Sequence, residues 1–116
     1  MLSQNKPEHL EALVEPIRLR IANMLASREL QPRDLAAVLS LHMSTISRHL
    51  GRLKAAGLVA SRRGPDGRSV YYRLTDHQLI VDATKVLNRI SGMPPYSTDL
   101  KKLDKLKRDS NRKNRQ

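Results

Sequence analysis

The chain has 116 residues, with 22 Lys and Arg against 11 Asp and Glu, a formal net charge of +11. That length holds one compact domain, small enough to gain stability from association with a second copy. Cysteine is absent, which excludes disulfide scaffolds, thiolate metal sites and thiol nucleophiles, and the only aromatics, Tyr71, Tyr72 and Tyr96, are too few for the platforms that stack unpaired bases.

Helical periodicity opens the chain. Leu10, Leu13, Val14 and Ile17 suggest a short helix ended near Pro16, and Ile17, Ile21, Met24 and Leu25 then fit a second, running to about Ser27, with Pro16 in its first turn. A third starts at Pro32, carries Leu35, Val38 and Leu39 on one stripe and stops near Ser40. A four-residue connection leads to Ser44, a favoured N-cap, followed by Ile46, Leu50 and Leu53 and by Gly57 as a stop. Two short helices joined by a tight turn form a helix-turn-helix, here without the glycine often found in its turn.

After Gly57 the period changes to two. Residues 58–63 and 69–74 read as strands, and the GPDG run at 64–67 between them supplies a turn, so the pair is a β-hairpin with basic residues at its tip. Thr75 with Gln78 three residues on has the capping-box pattern, opening a helix whose stripe is Leu79, Ala83, Val86, Leu87 and Ile90. Ile80 and Val81 fall off that stripe, and the surplus apolar surface predicts a dimer contact there. Residues 91–97, SGMPPYS, read as a linker; Leu100, Leu103 and Leu106 offer one narrow apolar seam, and from Lys107 onward the chain is too polar to bury itself. The fold expected is mainly α with a small β-hairpin, a winged helix-turn-helix in the order α-α-α-α-β-β-α. Residues 1–92 form its DNA-binding and dimerisation domain, and residues 93–116 a linker and partly disordered basic tail.

The charge is not spread evenly. Residues 43–73 hold seven basic side chains and one acidic, and residues 101–116 hold eight and two, while the remainder is close to neutral. In the first of these stretches the charge coincides with the helix-turn-helix and its hairpin. Only a helix or a two-stranded ribbon enters the major groove of a duplex, and short polar side chains near the helix start reach base edges there. Ser44, Thr45, Ser47 and Arg48 are so placed, with Arg48 able to bind guanine O6 and N7 bidentately; His49 and Arg52, further round, are within reach of phosphate. Gly51 interrupts the same helix, either because something approaches its backbone closely or because the position tolerates it. On the wing, Arg62, Arg63 and Arg68 flank the turn, as arginines drawn to a narrow minor groove or its phosphates, with Asp66 opposing them locally. The basic tail, Lys101 to Gln116, is expected to add nonspecific affinity for phosphate.

The segments EPIRLRIANMLA and LAAVLSLHMSTISRHLGRLKAAGLVASRRGPDGRSVYYRL, just over half the chain, resemble the ArsR/SmtB family of bacterial and archaeal winged-helix repressors. The resemblance implies a homodimer held by its first and last helices, here through Leu10, Leu13, Leu79, Ile80, Ala83, Leu87 and Ile90, binding an imperfect palindrome near a promoter and released by some signal. Many members of that family sense metals with a Cys-x-Cys pair where this chain reads RELQPRDLA. Others use an Asp-x-His pair with a later His and carboxylate on the last helix; here Asp76 and His77 are adjacent, Gln78 stands where that His would fall, and Asp82 is the one acid left. His9, His42, His49 and His77 are scattered, so no metal and no cofactor are expected, and the effector is an unidentified small molecule or protein.

An enzyme is not expected: Ser47 and His49 do not face each other on a helix, and no glycine fingerprint is present. The partner expected is double-stranded DNA, with a cytoplasmic location and no membrane span. An architectural or nonspecific nucleic-acid-binding protein using the same basic surface is the alternative, distinguished by its lack of preference for one site.

Overall fold

The computed structural model describes residues 7–114, with side chains as far as Arg108. Helices α1 (Pro7–Val14), α2 (Pro16–Ser27), α3 (Pro32–Leu39) and α4 (Met43–Ala55) are followed by strands β1 (Val59–Arg63) and β2 (Val70–Leu74), then by α5 (Gln78–Ile90) and α6 (Tyr96–Asn114). The arrangement is the expected winged helix-turn-helix with one helix added at its end.

Local chemistry sets these boundaries. Pro16 and Pro32 open α2 and α3, where a missing N–H costs nothing, and the Glu15 carboxylate caps α2 by accepting the Arg18 N–H at 2.8 Å. Gly57, at φ 77°, ends α4: its N–H reaches the Lys54 carbonyl and that of Leu58 the Leu53 carbonyl, the paired bonds of a Schellman stop. Two caps differ from expectation. His42, not Ser44, is the N-cap of α4, which leaves Ser44 in the first turn with its hydroxyl free to face outward. Thr75 does not open α5; its hydroxyl donates to the Gly57 carbonyl at 2.7 Å, tying the strand end to the helix stop, and the His77 Nδ1 accepts the Leu79 N–H instead.

The core lies where α2, α3 and α4 meet the base of the hairpin: Ile21, Met24, Leu35, Ile46, Leu50, Leu53 and Leu58 have at most 1% of their surface exposed. β1 and β2 pair antiparallel with Val59 opposite Leu74, and Leu30 adds a single bridge to Tyr72 on the other edge of β2. That bridge fixes the wing to the loop between α2 and α3. Ile80 and Leu87 drop from α5 into the same core, so the extra apolar surface expected on this helix is partly used inside the chain.

The largest departure concerns residues 93–116. The turn after α5 returns the chain, and α6 packs on α2 and α3 with Leu103 buried and Leu100 and Leu106 half-buried against the core. The expected seam is therefore seated in the fold, and the described backbone is helical to Asn114; residues 115 and 116 lie outside the described residues. What the sequence pattern could not supply is the partner of Asp99. This carboxylate is fully buried and receives Arg20 Nε at 2.9 Å and Nη2 at 2.8 Å, a fork-to-fork pair from α2 to the first turn of α6. Asp104 repeats the contact one turn on, with Arg28 at 2.9 Å on the surface.

A buried carboxylate stripped of its partner is costly, whereas an apolar pair of similar volume is tolerated. Arg20→Met should therefore lower unfolding free energy by about 3 kcal/mol, and adding Asp99→Leu should recover much of it. Urea titrations of the two variants check this; equal losses in both would show that the pair does not hold α6.

Candidate nucleic-acid interface

Because Ile46, Leu50 and Leu53 recur at i, i+4 and i+7 and all are buried, the opposite side of α4 is obliged to face out. Ser44, Ser47, Arg48 and Arg52 are exposed there, and Thr45 is half-buried at the helix start. Neither Arg48 nor Arg52 makes a hydrogen bond or ion pair with any described residue, so both guanidinium groups remain available. Gly51 lies between them on the same face, and a Cβ built on it meets nothing within 4 Å. Nothing among the described residues requires glycine there.

His49 departs from expectation. It turns toward the start of α2, where its Nδ1 lies 3.3 Å from Arg18 Nη1 and 3.8 Å from Glu15 Oε2, and it is half-buried. Partial burial lowers its pKa, opposed by Glu15 and reinforced by Arg18, Arg48 and Arg52. Accepting from Arg18 through Nδ1, the ring braces α4 against α2.

The wing is built around its turn. The Asp66 carboxylate accepts the N–H groups of Arg68 and Ser69 at 2.9 and 2.8 Å and the Ser69 hydroxyl at 2.7 Å, and these bonds pull its pKa down to about 2. Asp66 thus shapes the tip while leaving one negative charge on it. Arg68 is exposed with no ion pair among the described residues, and Arg63 donates to the Gly67 carbonyl at 2.9 Å. Arg62 is committed elsewhere: its guanidinium forks onto Glu29 at 2.8 and 3.0 Å and lies 4.9 Å over the Tyr71 ring. Of the three wing arginines expected on DNA, Arg62 is therefore held by the chain itself. Lys54, which the sequence pattern did not single out, donates to Ser61 at 2.8 Å and links α4 to β1.

The surface expected to meet a second copy is also redistributed. Leu13, Ile80 and Leu87 are buried within the single chain, and Leu79, Ala83 and Ile90 are half-buried. The apolar side chains left outward on α1 and α5 are Leu10, Val14, Val81 and Val86, each close to half exposed or more. His9 and His77 meet edge to face with ring centroids 4.7 Å apart, joining α1 to α5. Asp82 is bonded by Gln78 at 3.0 Å, and among the described residues no three His, Asp or Glu side chains gather as a metal ion requires. No helix among the described residues is long and apolar enough to cross a membrane.

Residues 15–61, from the cap of α2 into β1, match the family model described as bacterial regulatory protein, arsR family. A transcriptional repressor SmtB homolog of Synechocystis is 40% identical over 78 residues, covering 67% of this chain and 58% of that protein. The transcriptional regulator HlyU from Vibrio vulnificus is 33% identical and superposes with a TM-score of 0.64 over 77% of this chain and 93% of that one. A homodimeric winged helix-turn-helix DNA-binding domain from Mycobacterium bovis, described as a possible ArsR-family regulator, gives a TM-score of 0.62 at 28% identity over 80% of this chain and 87% of that one. The chain spans between half and three-fifths of the length of the first curated relatives that it matches.

The His49 environment has a consequence for pH. A histidine whose folded pKa lies below its unfolded value of 6.5 binds fewer protons folded than unfolded, so stability falls as pH drops from 6.5 through the folded pKa. His49→Gln should remove this part of the acid destabilisation. Denaturant midpoints of the two proteins should converge at low pH relative to pH 7.5; a constant difference would mean that His49 titrates alike folded and unfolded.

Proposed function

This chain belongs to the ArsR family of bacterial regulatory proteins, and from that membership we propose that it is a sequence-specific regulator of transcription, binding duplex DNA as a dimeric repressor on an inverted repeat. The observation that carries the reading is the outward row of α4, where Ser44, Ser47, Arg48 and Arg52 are presented by a buried seam and both arginines are without partners among the described residues. Arg48 reads a base edge, most simply guanine, and Arg52 holds phosphate and sets register. Arg63 and Arg68 on the wing approach the adjacent groove, each opposed in part by Asp66.

The name of the Mycobacterium bovis neighbour states that it is homodimeric, and the outward Leu10, Val14, Val81 and Val86 supply a surface for the same association here. Residues 1–92 are then the unit that binds DNA and pairs, with residues 93–116 appended to it, and the cytoplasm, where the DNA lies, is its compartment. Without thiols, the signal that releases DNA works through something other than a thiolate-bound metal.

The test is selection of bound duplexes from a random library by purified protein at near-physiological salt after chelation. A single inverted repeat with half-sites about one helical turn apart is expected; recovery of no motif overturns specific regulation in favour of an architectural role. On the selected site, Arg48→Ala should cost about 1–3 kcal/mol and relax preference at one position, whereas Arg52→Ala should weaken all duplexes alike and reduce the salt slope by about one. Identical, sequence-independent losses from both would remove Arg48 as the reader.

A further inference from the structure

Helix α6 carries a charge pattern that the reading above does not use. Its acidic side chains among those described, Asp99 and Asp104, are both occupied by arginines of α2 and the residue that follows it, Arg20 and Arg28. The cations of the helix are left uncompensated: Lys101, Lys102, Lys105, Lys107 and Arg108 are exposed and form no hydrogen bond or ion pair among the described residues. Lys101, Lys105 and Arg108 recur at i, i+4 and i+7, a single row on the side of the helix away from buried Leu103. Lys102 and Lys105, with Leu106, also border a shallow groove against Ala37 and Val38 of α3, and no acidic residue lines it.

The position of that groove points to the partner. α3 is the first helix of the helix-turn-helix, the one that crosses the DNA backbone when the second lies in the major groove. Its exposed Arg33 lines the neighbouring groove with Arg28 and Lys107, where Glu29 and Asp34 offset part of the charge, so cations from α3 and α6 share one groove of the helix pair. We propose that α6 is a second phosphate-binding surface, gripping the backbone of the duplex that flanks the stretch read by α4. The cations along it are mostly lysines, point charges suited to phosphate without the bidentate geometry that a base edge demands. Since α6 is anchored by the Arg20–Asp99 pair, these charges are already in place when DNA arrives, and no ordering of a tail opposes their binding.

The proposal rests on the DNA-binding reading, and its test separates the two. Full-length protein and a variant with Lys101→Gln, Lys102→Gln, Lys105→Gln and Arg108→Gln are titrated over a salt series against two duplexes. One duplex holds only the selected site, and the other extends it by about one helical turn, roughly ten base pairs, on each side. The unaltered protein should bind the longer duplex at least about tenfold more tightly, and the variant should lose that gain together with roughly 0.9 of log–log salt slope for each phosphate contact removed. Affinity for the short duplex should be the same for both proteins, as should their circular dichroism, since the altered side chains are exposed. An equal gain from the flanks in both proteins, or no gain in either, overturns the α6 surface and leaves the DNA reading standing. Failure of the unaltered protein to bind any duplex overturns both, and an acidic protein then becomes the partner to seek.

Discussion

The row of side chains that α4 presents to a partner depends on the burial of three residues, Ile46, Leu50 and Leu53, on its other side. Each full burial of such a residue is worth about 1.5–3 kcal/mol, far more than any single exposed polar contact, so α4 has one rotational setting about its axis. That setting turns Ser44, Arg48 and Arg52 to solvent without any need for those residues to have local partners. The helix start stays open for the same reason: His42 takes the cap position, and the Ser44 hydroxyl is left unspent. The exposed row of α4 is thus a by-product of packing, and its accuracy is that of the core.

The charge of +11 overstates what the surface can offer. Arg18 is turned inward to the Ala12 carbonyl and to His49, Arg20 and Arg28 hold α6, Arg62 is clasped by Glu29, and Lys54 ties α4 to β1. These cations assemble the molecule. Those without internal partners among the described residues concentrate on α4, on the hairpin tip and along α6. Internal pairing therefore sorts the basic residues into a scaffold set and a displayed set, and it occupies Glu29, Asp99 and Asp104, while Glu8 and Glu11 line a groove beside Arg52 and Asp66 stays at the hairpin tip.

Much of this was legible in the residue pattern because it depends on local rules. Pro16, Pro32 and Gly57 mark helix ends wherever they occur in such contexts, and the change from a period of 3.6 to one of two around Gly57 marked the hairpin. The exposed row of α4 follows from the same periodicity. What escaped the pattern is non-local. The fork between Arg20 and Asp99 joins residues 79 positions apart, and without it the polar stretch after Pro95 looks unable to fold. The clasp of Arg62 by Glu29 spans 33 positions, and the inward turn of His49 depends on where α2 begins. Residues assigned to a partner surface on α1 and α5 divided for a similar reason: amphipathicity says that a face is buried, but not whether the chain's own core or a second copy buries it.

The turn between α3 and α4 contains no glycine, and its left-handed position is held by Ser40 at φ 54° and ψ 46°. A residue with a Cβ in that conformation is strained by roughly 1–2 kcal/mol, although the unfolded chain, having one fewer glycine, also has less freedom to lose on folding. The joint is consequently sprung rather than slack. Packing of Leu35, Val38, Leu41 and Ile46 works against the local preference of Ser40 to hold the angle between the two helices. A small void opened among those side chains would first be felt as a swing of α4 about its hinge, with both helices still intact.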